Sequence, residues 1–270
     1  MNKVPLSEYG NYIAWAKACT SNQVYPLSIA EGNQPGDIYT DNLEQASAVL
    51  FWHFCGFAYL SGSPSEAYLE EIFEAFYLRK RERRFLLITD SSEIAGYFSG
   101  KPGITTGTRL EYQYETASEK ILRTDEEHQY VKASQDILRS CDNPGYRVER
   151  ISSQLLPRIQ GRIIPSFSWD CGEQFLEKGL GYIVTEGESI AAVAFSAAVS
   201  SEEIDIGVET MEPFRGKGYA TLLANTMCQT ICQMGKRPVW AHAEQNAASG
   251  RTALASGFRV KKRNIVIKNG

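Results

Sequence analysis

The sequence predicts an α/β protein, of the α+β kind, and three observations predict it. From Tyr182 onward the apolar periodicity switches between strand and helix in the order β-β-β-α-β-α-β. A glycine pair stands between the third of those strands and the longer helix. The first half carries its own short strands and an amphipathic helix, so neither half reads as all-helical or all-β.

In chain order, Ala46–Leu60 is rich in aromatic and branched residues and predicts one or two buried strands. Ser61-Gly62-Ser63-Pro64 is a turn, and Ser65-Glu66 begins a helix on which Leu69, Ile72, Phe73, Phe76 and Tyr77 recur at helical spacing. Phe85–Thr89 and Arg109–Tyr114 read as strands, the second half-exposed. Polar residues from Glu115 to Asp136, followed by the turn Cys141-Asp142-Asn143-Pro144-Gly145, predict a junction. The chain is therefore divided into an N-terminal α/β lobe (1–140) and a C-terminal domain (141–270). In the latter, Tyr182–Thr185 and Ile190–Val199 form a hairpin through Glu186-Gly187-Glu188, and Ile204–Val208 is the third strand. Gly218–Met234 is a helix with Tyr219, Leu223, Met227, Ile231 and Met234 on one stripe, stopped by Gly235. Pro238–Ala243, Asn246–Ser256 and Arg259–Lys268 supply the last strand, helix and strand.

Bulk properties exclude several classes. The 270 residues are 43% apolar and 22% charged, enough for a sizeable core in each half. With 28 basic and 32 acidic residues the net charge is −4, so no nucleic-acid partner is expected. The basic run Arg79–Arg84 reads either as cations at a helix C-terminus or as a phosphate-binding patch. No secretory signal and no span long enough for a membrane helix is apparent, which predicts a cytoplasmic protein with no membrane partner. Cysteines at 19, 55, 141, 171, 228 and 232 lack metal-ligand spacing, so no metal is expected and buried, unpaired thiols are. Oligomeric state is not legible.

Chemistry points to Arg215-Gly216-Lys217-Gly218-Tyr219-Ala220. The first turn of a helix has main-chain N–H groups without intrahelical partners and a partial positive charge. Glycines there let a phosphate approach the backbone, although a plain tight turn would also account for them. The P-loop spacing is absent, and Thr221 stands where a dinucleotide fingerprint has its third glycine.

The same segment resembles the acetyl-CoA signature of the GNAT N-acetyltransferases, Gln/Arg-x-x-Gly-x-Gly/Ala. Downstream, Asn246, Ser249 and Gly257-Phe258 are similar to that superfamily's second signature. A closer resemblance is to the zwittermicin-A-resistance type, carried by Ile204–Thr210, by Trp240 ahead of Asn246 and Ser249, and by Phe175–Tyr182. It implies a mixed, splayed sheet flanked by helices, open between the strand before the glycine turn and the strand holding Trp240. It further implies acetyl-CoA as acetyl donor, with main-chain groups of Val208 and Thr210 pairing with the pantetheine arm. Gly216, Lys217, Gly218, Tyr219 and Ala220 would hold the pyrophosphate, with Arg215 and Lys217 as nearby charge, and Asn246 and Ser249 would reach the arm. The activity implied is direct acetyl transfer to the amine of a small molecule.

Glu209 is the candidate general base, sharing a face with Asp205 by strand alternation; Asp205, Glu203 and Glu212 are weaker candidates. His242 alternates onto the side of Trp240, as a proton relay or a packed histidine. Many relatives carry a tyrosine acid seven residues after the asparagine, where this chain has Ala253. That departure motivates the rival reading, a non-catalytic acyl-CoA-binding or regulatory module. The N-terminal lobe reads either as a structural partner or as a degenerate GNAT-like lobe shaping the acceptor pocket, in both cases non-catalytic; Trp169 and Phe175 are candidates for the acceptor side or for core.

Overall fold

The computed structural model describes residues 1–79, 83–115 and 145–270. In the first half the strands are β1 (Asn2–Lys3), β2 (Gly36–Thr40), β3 (Ala48–His53), β4 (Phe57–Gly62), β5 (Leu86–Thr89) and β6 (Ile104–Tyr114). The second half supplies β7 (Arg147–Arg150), β8 (Gly181–Glu186), β9 (Ser189–Val199), β10 (Glu203–Thr210), β11 (Arg237–Ala243) and β12 (Phe258–Asn269). The α-helices are α1 (Ile13–Ala18), α2 (Val24–Ala30), α3 (Glu66–Phe73), α4 (Ser92–Ser99), α5 (Gly172–Lys178), α6 (Tyr219–Gln233) and α7 (Ala247–Ala255).

Among the described residues, twelve strands join one sheet in the order β1-β2-β3-β4-β5-β12-β6-β11-β10-β9-β8-β7. That order maps onto itself when each strand is exchanged for the one six places along, so the halves repeat one topology about a central pseudo-twofold axis. The last strand of each half is exchanged: β12 hydrogen-bonds to β5, and β6 to β11. Among the described residues only β4–β5 and β10–β11 are parallel pairs. Helices α3, α4, α6 and α7 pack on one face, and α1 and α2 on the other. Strand β3 is buried at every residue because it lies between them.

The β-β-β-α-β-α-β order of the C-terminal segment is observed as β8 to β12 with α6 and α7. Helix α6 begins after Gly218, whose φ of +82° turns the chain, and ends in a Schellman closure. There Lys236 N–H donates to Ile231 O (3.1 Å) and Gly235 N–H to Cys232 O (3.0 Å). Its fully buried Leu223, Met227 and Ile231 each contribute about 1.5–3 kcal/mol by leaving water. Met234, expected on that stripe, is 51% exposed, because it lies beyond the last helical turn. Ala46–Leu60 resolves into two strands, β3 and β4. Cys19, Cys55 and Cys228 are buried, as expected; Cys171 and Cys232 are exposed, the first capping α5 and the second on the outer side of α6. Cys141, the junction turn and the division at residue 140 lie outside the described residues. Among those that are described, no helix is long and apolar enough to cross a membrane.

The repeated halves differ where β4 and β10 part from their parallel neighbours. In the first half the segment Cys19–Asn22 fills that opening. Thr20 Oγ1 donates to Asp90 (2.5 Å), Ser21 Oγ to Asn264 Oδ1 (2.8 Å) and Asn22 N–H to Glu111 (3.1 Å), while Cys19 Sγ lies over Leu60 O. The turn before α3 also offers fewer amides than the one before α6: Pro64 has no N–H, Ser63 N–H donates to Ser47 O, and Ser65 Oγ caps Tyr68 N–H.

Candidate active site

Strands β10 and β11 pair only through Glu203–Arg237, Ile204–Pro238 and Asp205–Val239. Beyond Asp205 they diverge, β11 following β6 and β10 following β9. Met211 N–H donates to Ala191 O on β9 (2.9 Å). By alternation the main-chain groups of Glu209 also face β9, and those of Val208 and Thr210 face the split. A cavity of about 330 Å³ occupies the split and passes from the α6/α7 face to the α1/α2 face of the sheet.

On the helical side, Trp240, His242, Asn246 and Ser249 line it. Asn246 Oδ1 accepts Ser249 N–H (3.2 Å) as the cap of α7, and Trp240 Nε1–H donates to Ser249 Oγ (3.1 Å). His242 is buried between Tyr112 and α7. Its Nδ1 lies 2.8 Å from Ala243 O and its Nε2 2.9 Å from Tyr112 Oη, an arrangement satisfied when Nδ1 carries the proton and the tyrosine donates. Burial holds its pKa below the usual histidine value, so the ring is neutral at pH 7. Tyr112 belongs to β6, so the first half reaches the site through the exchanged strand.

The glycine turn stands at the outer end of the split. Residues Arg215 to Gly218 are exposed, Gly216 and Gly218 both have φ of +82°, and no atom lies within 4 Å of a Cβ built on either. A diphosphate therefore has room against these amides and the first turn of α6. Lys217 Nζ lies 2.7 Å from Glu186, which also accepts from Tyr219 Oη (2.7 Å). Arg215 extends past Thr210 O.

Glu209 does not face the cavity with a free carboxylate. Its Oε2 accepts main-chain N–H bonds from Arg162 (2.7 Å) and Ile163, which pin the Gly161–Ile163 loop beside the site. Asp205 lines the cavity, is 3% exposed, and has its pKa pushed up by burial to about 7, with Arg109 acting in the opposite sense. Tyr25 Oη donates to its Oδ2 (2.6 Å), and Oδ1 has no partner among the described residues. Glu203 pairs with Arg237, and Glu212 lies in an exposed turn; neither lines the cavity.

Tyr25, Phe57, Arg84 and Arg109 from the first half, with Ile163 and Phe167 from the second, line the α1/α2 side. Sequence reasoning missed all six as site residues. Arg84 lay inside the basic run, which divides in space: Arg83 pairs with Asp37 (2.6 Å) and lies over Trp52, whereas Arg84 enters the cavity. Trp169 and Phe175 belong to the core; Trp169 Nε1–H donates to Ser196 O (2.8 Å) and its ring meets Phe175 edge-on. Ala253 is fully buried in the same core as Phe258 and Tyr112. Restoring a ring with Ala253→Tyr is expected to lower the thermal unfolding midpoint by roughly 5 °C or more through overpacking. Calorimetry of the variant checks this.

A mixed sheet whose parallel strands pair and then part, with a glycine turn opening the helix between them, is the fold of the N-acetyltransferase class. Residues 17–266 match the family profile described as GNAT acetyltransferase, and the chain belongs to that family. The uncharacterized N-acetyltransferase YdfB of Bacillus subtilis (strain 168) is 20% identical over 253 residues, spanning 91% of this chain and 90% of its own. Among solved structures, a GCN5-related N-acetyltransferase-like protein of Streptococcus suis superposes with a TM-score of 0.72 at 20% identity, over 98% of this chain and 100% of its own. A GNAT-family acetyltransferase of Colwellia psychrerythraea gives 0.60 at 11% identity, over 100% and 99%. Both likenesses extend across the two halves, so the double lobe is shared by these folds.

Proposed function

We propose that the protein moves the acetyl group of acetyl-CoA directly to the amine of a small molecule. The observation that carries this reading is the continuous cavity from the open β10–β11 split to Asp205. The residues fit acetyl-CoA: main-chain groups of Val208 and Thr210 that face the split suit the pantetheine arm, and the amides of Gly216 to Ala220 suit the pyrophosphate, assisted by Arg215 and Lys217. Asn246 and Ser249 border the arm from α7. When bound, acetyl-CoA supplies an acetyl group activated as a thioester.

Asp205 acts as the general base, accepting the proton of the acceptor's ammonium so that a neutral amine is available to attack. A group titrating near pH 7 is suited to that transfer. Tyr25 orients its carboxyl. Glu209 acts instead as the anchor of the Gly161–Ile163 loop. Glu209→Gln should therefore raise the acceptor KM by about 10-fold through a loosened loop, with the pH midpoint of kcat unchanged. Loss of that pH dependence in the variant would restore Glu209 as the base.

The likeness to the zwittermicin-A-resistance branch rests on the motifs quoted above. Buried Ala253 motivates the second reading, a non-catalytic acyl-CoA-binding module. Measuring CoA release across a panel of primary amines separates the two: acetyl-CoA binding with no turnover on any amine favours the module.

A further inference from the structure

Resting on the reading of this cavity as an acceptor site, we infer that the acceptor carries an anionic group in addition to its amine. The amine meets Asp205, the anion meets Arg84 and Arg109, and an apolar body packs on Phe57 beside them. The two arginines flank one ring: the Arg84 guanidinium lies 5.1 Å and that of Arg109 4.5 Å from the centroid of Phe57. Arg84 also lies 4.8 Å from Phe167.

Each guanidinium is held in place without being neutralised. Arg84 Nε–H donates to Cys55 O (2.7 Å) and Arg109 Nη2–H to Ala241 O (3.0 Å), both main-chain carbonyls. A guanidinium has five N–H donors in a planar fork, and these bonds use one on each side chain. Arg109 Nε is buried with no partner among the described residues, as is Asp205 Oδ1. One cavity thus contains a donor and an acceptor of opposite charge that do not satisfy each other, a costly arrangement unless a ligand supplies both complements. An amine alone would meet Asp205 and leave two cations facing it. Lys268 at the rim adds a third positive charge.

The backbone is shaped for Arg84. Gly56 has φ of +92°, and a Cβ there would lie 2.2 Å from Arg84 Cγ. That glycine lets the arginine stem cross the chain and turn its head into the cavity. Tyr25, Phe57 and Phe167 then supply an apolar wall beside the charges, which suits an aromatic or aliphatic side chain. An α-amino acid with an apolar side chain has this combination, as does its phosphonate analogue.

The test uses the full-length protein and matched probes: L-phenylalanine, phenylalaninamide, phenethylamine and 1-amino-2-phenylethylphosphonate, with the L-leucine, leucinamide and isoamylamine set in parallel. Binding is read by calorimetry and turnover by CoA release. The anionic members should bind about 10-fold or more tightly than their neutral partners. In Arg84→Gln, and independently in Arg109→Gln, that ratio should fall toward one while acetyl-CoA affinity stays within about 2-fold as a check on folding. Comparing carboxylate with phosphonate identifies the preferred anion. Equal or weaker binding of every anionic probe overturns the inference even if amines are acetylated. Anion-dependent binding without turnover upholds it and instead sinks the acetyltransferase reading.

Discussion

Gly218→Asp should abolish acetyl-CoA binding in a protein that still folds. The residue ends the loop after β10 with φ of +82°, and a Cβ there meets nothing within 4 Å. The backbone strain of a non-glycine residue in this conformation costs about 1–2 kcal/mol, which a chain of this size survives. The added carboxylate would stand at the opening of α6, where the dipole and the partnerless amides favour an anion. It would occupy that place and repel a diphosphate. A loss of more than about 100-fold in affinity is expected by calorimetry. Gly218→Asn imposes the same strain without the charge and should lose far less. Should both variants bind as the parent does, the pyrophosphate does not sit at this turn.

Asp205→Asn should lower kcat by about 100-fold or more, with acetyl-CoA affinity retained. The parent rate should rise with pH and level off above about 7, following ionisation of Asp205; the variant should lack that rise. Stability gives an independent reading with its own sign. The folded-state pKa of Asp205 lies above that of the unfolded carboxyl. Its contribution is therefore most favourable below pH 3.8 and is lost as pH rises toward about 7. Asparagine stays neutral throughout, so the variant should gain stability relative to the parent between these values, by up to roughly 4 kcal/mol above pH 7. Unfolding midpoints at pH 5 and pH 8 test it. A variant that loses activity but shows no such pH-dependent gain would mark Asp205 as ionised in the resting protein, and its pKa near 7 would have to be abandoned.

The two variants act at opposite ends of one cavity, and the ends were unequally legible. The outer end is written locally. Two glycines before a periodic helix mark the turn to which the proposed function assigns the pyrophosphate, because conformational freedom and helix-end amides belong to neighbouring residues. Trp240, Asn246 and Ser249 follow at short separations for the same reason. The inner end is assembled from distant segments. Tyr25 reaches Asp205 across 180 positions, and Arg109 arrives on a strand that pairs with β11 only after strand exchange. No spacing in the sequence encodes such contacts. Glu209 illustrates the limit: alternation correctly put it on the face of Asp205, yet alternation is blind to the loop amides that occupy its carboxylate.

The sequence by itself determined the strand and helix order of the C-terminal half and the place of the glycine turn, because hydrophobic period and backbone freedom are properties of contiguous residues. Only the tertiary structure decided what the first half does. Its own opening is filled by Cys19–Asn22, its turn before α3 includes Pro64, which has no N–H, and its Tyr25, Phe57, Arg84 and Arg109 wall the neighbouring cavity instead. Those outcomes depend on how two similar sheets join and exchange their last strands, an arrangement set by long-range burial and pairing.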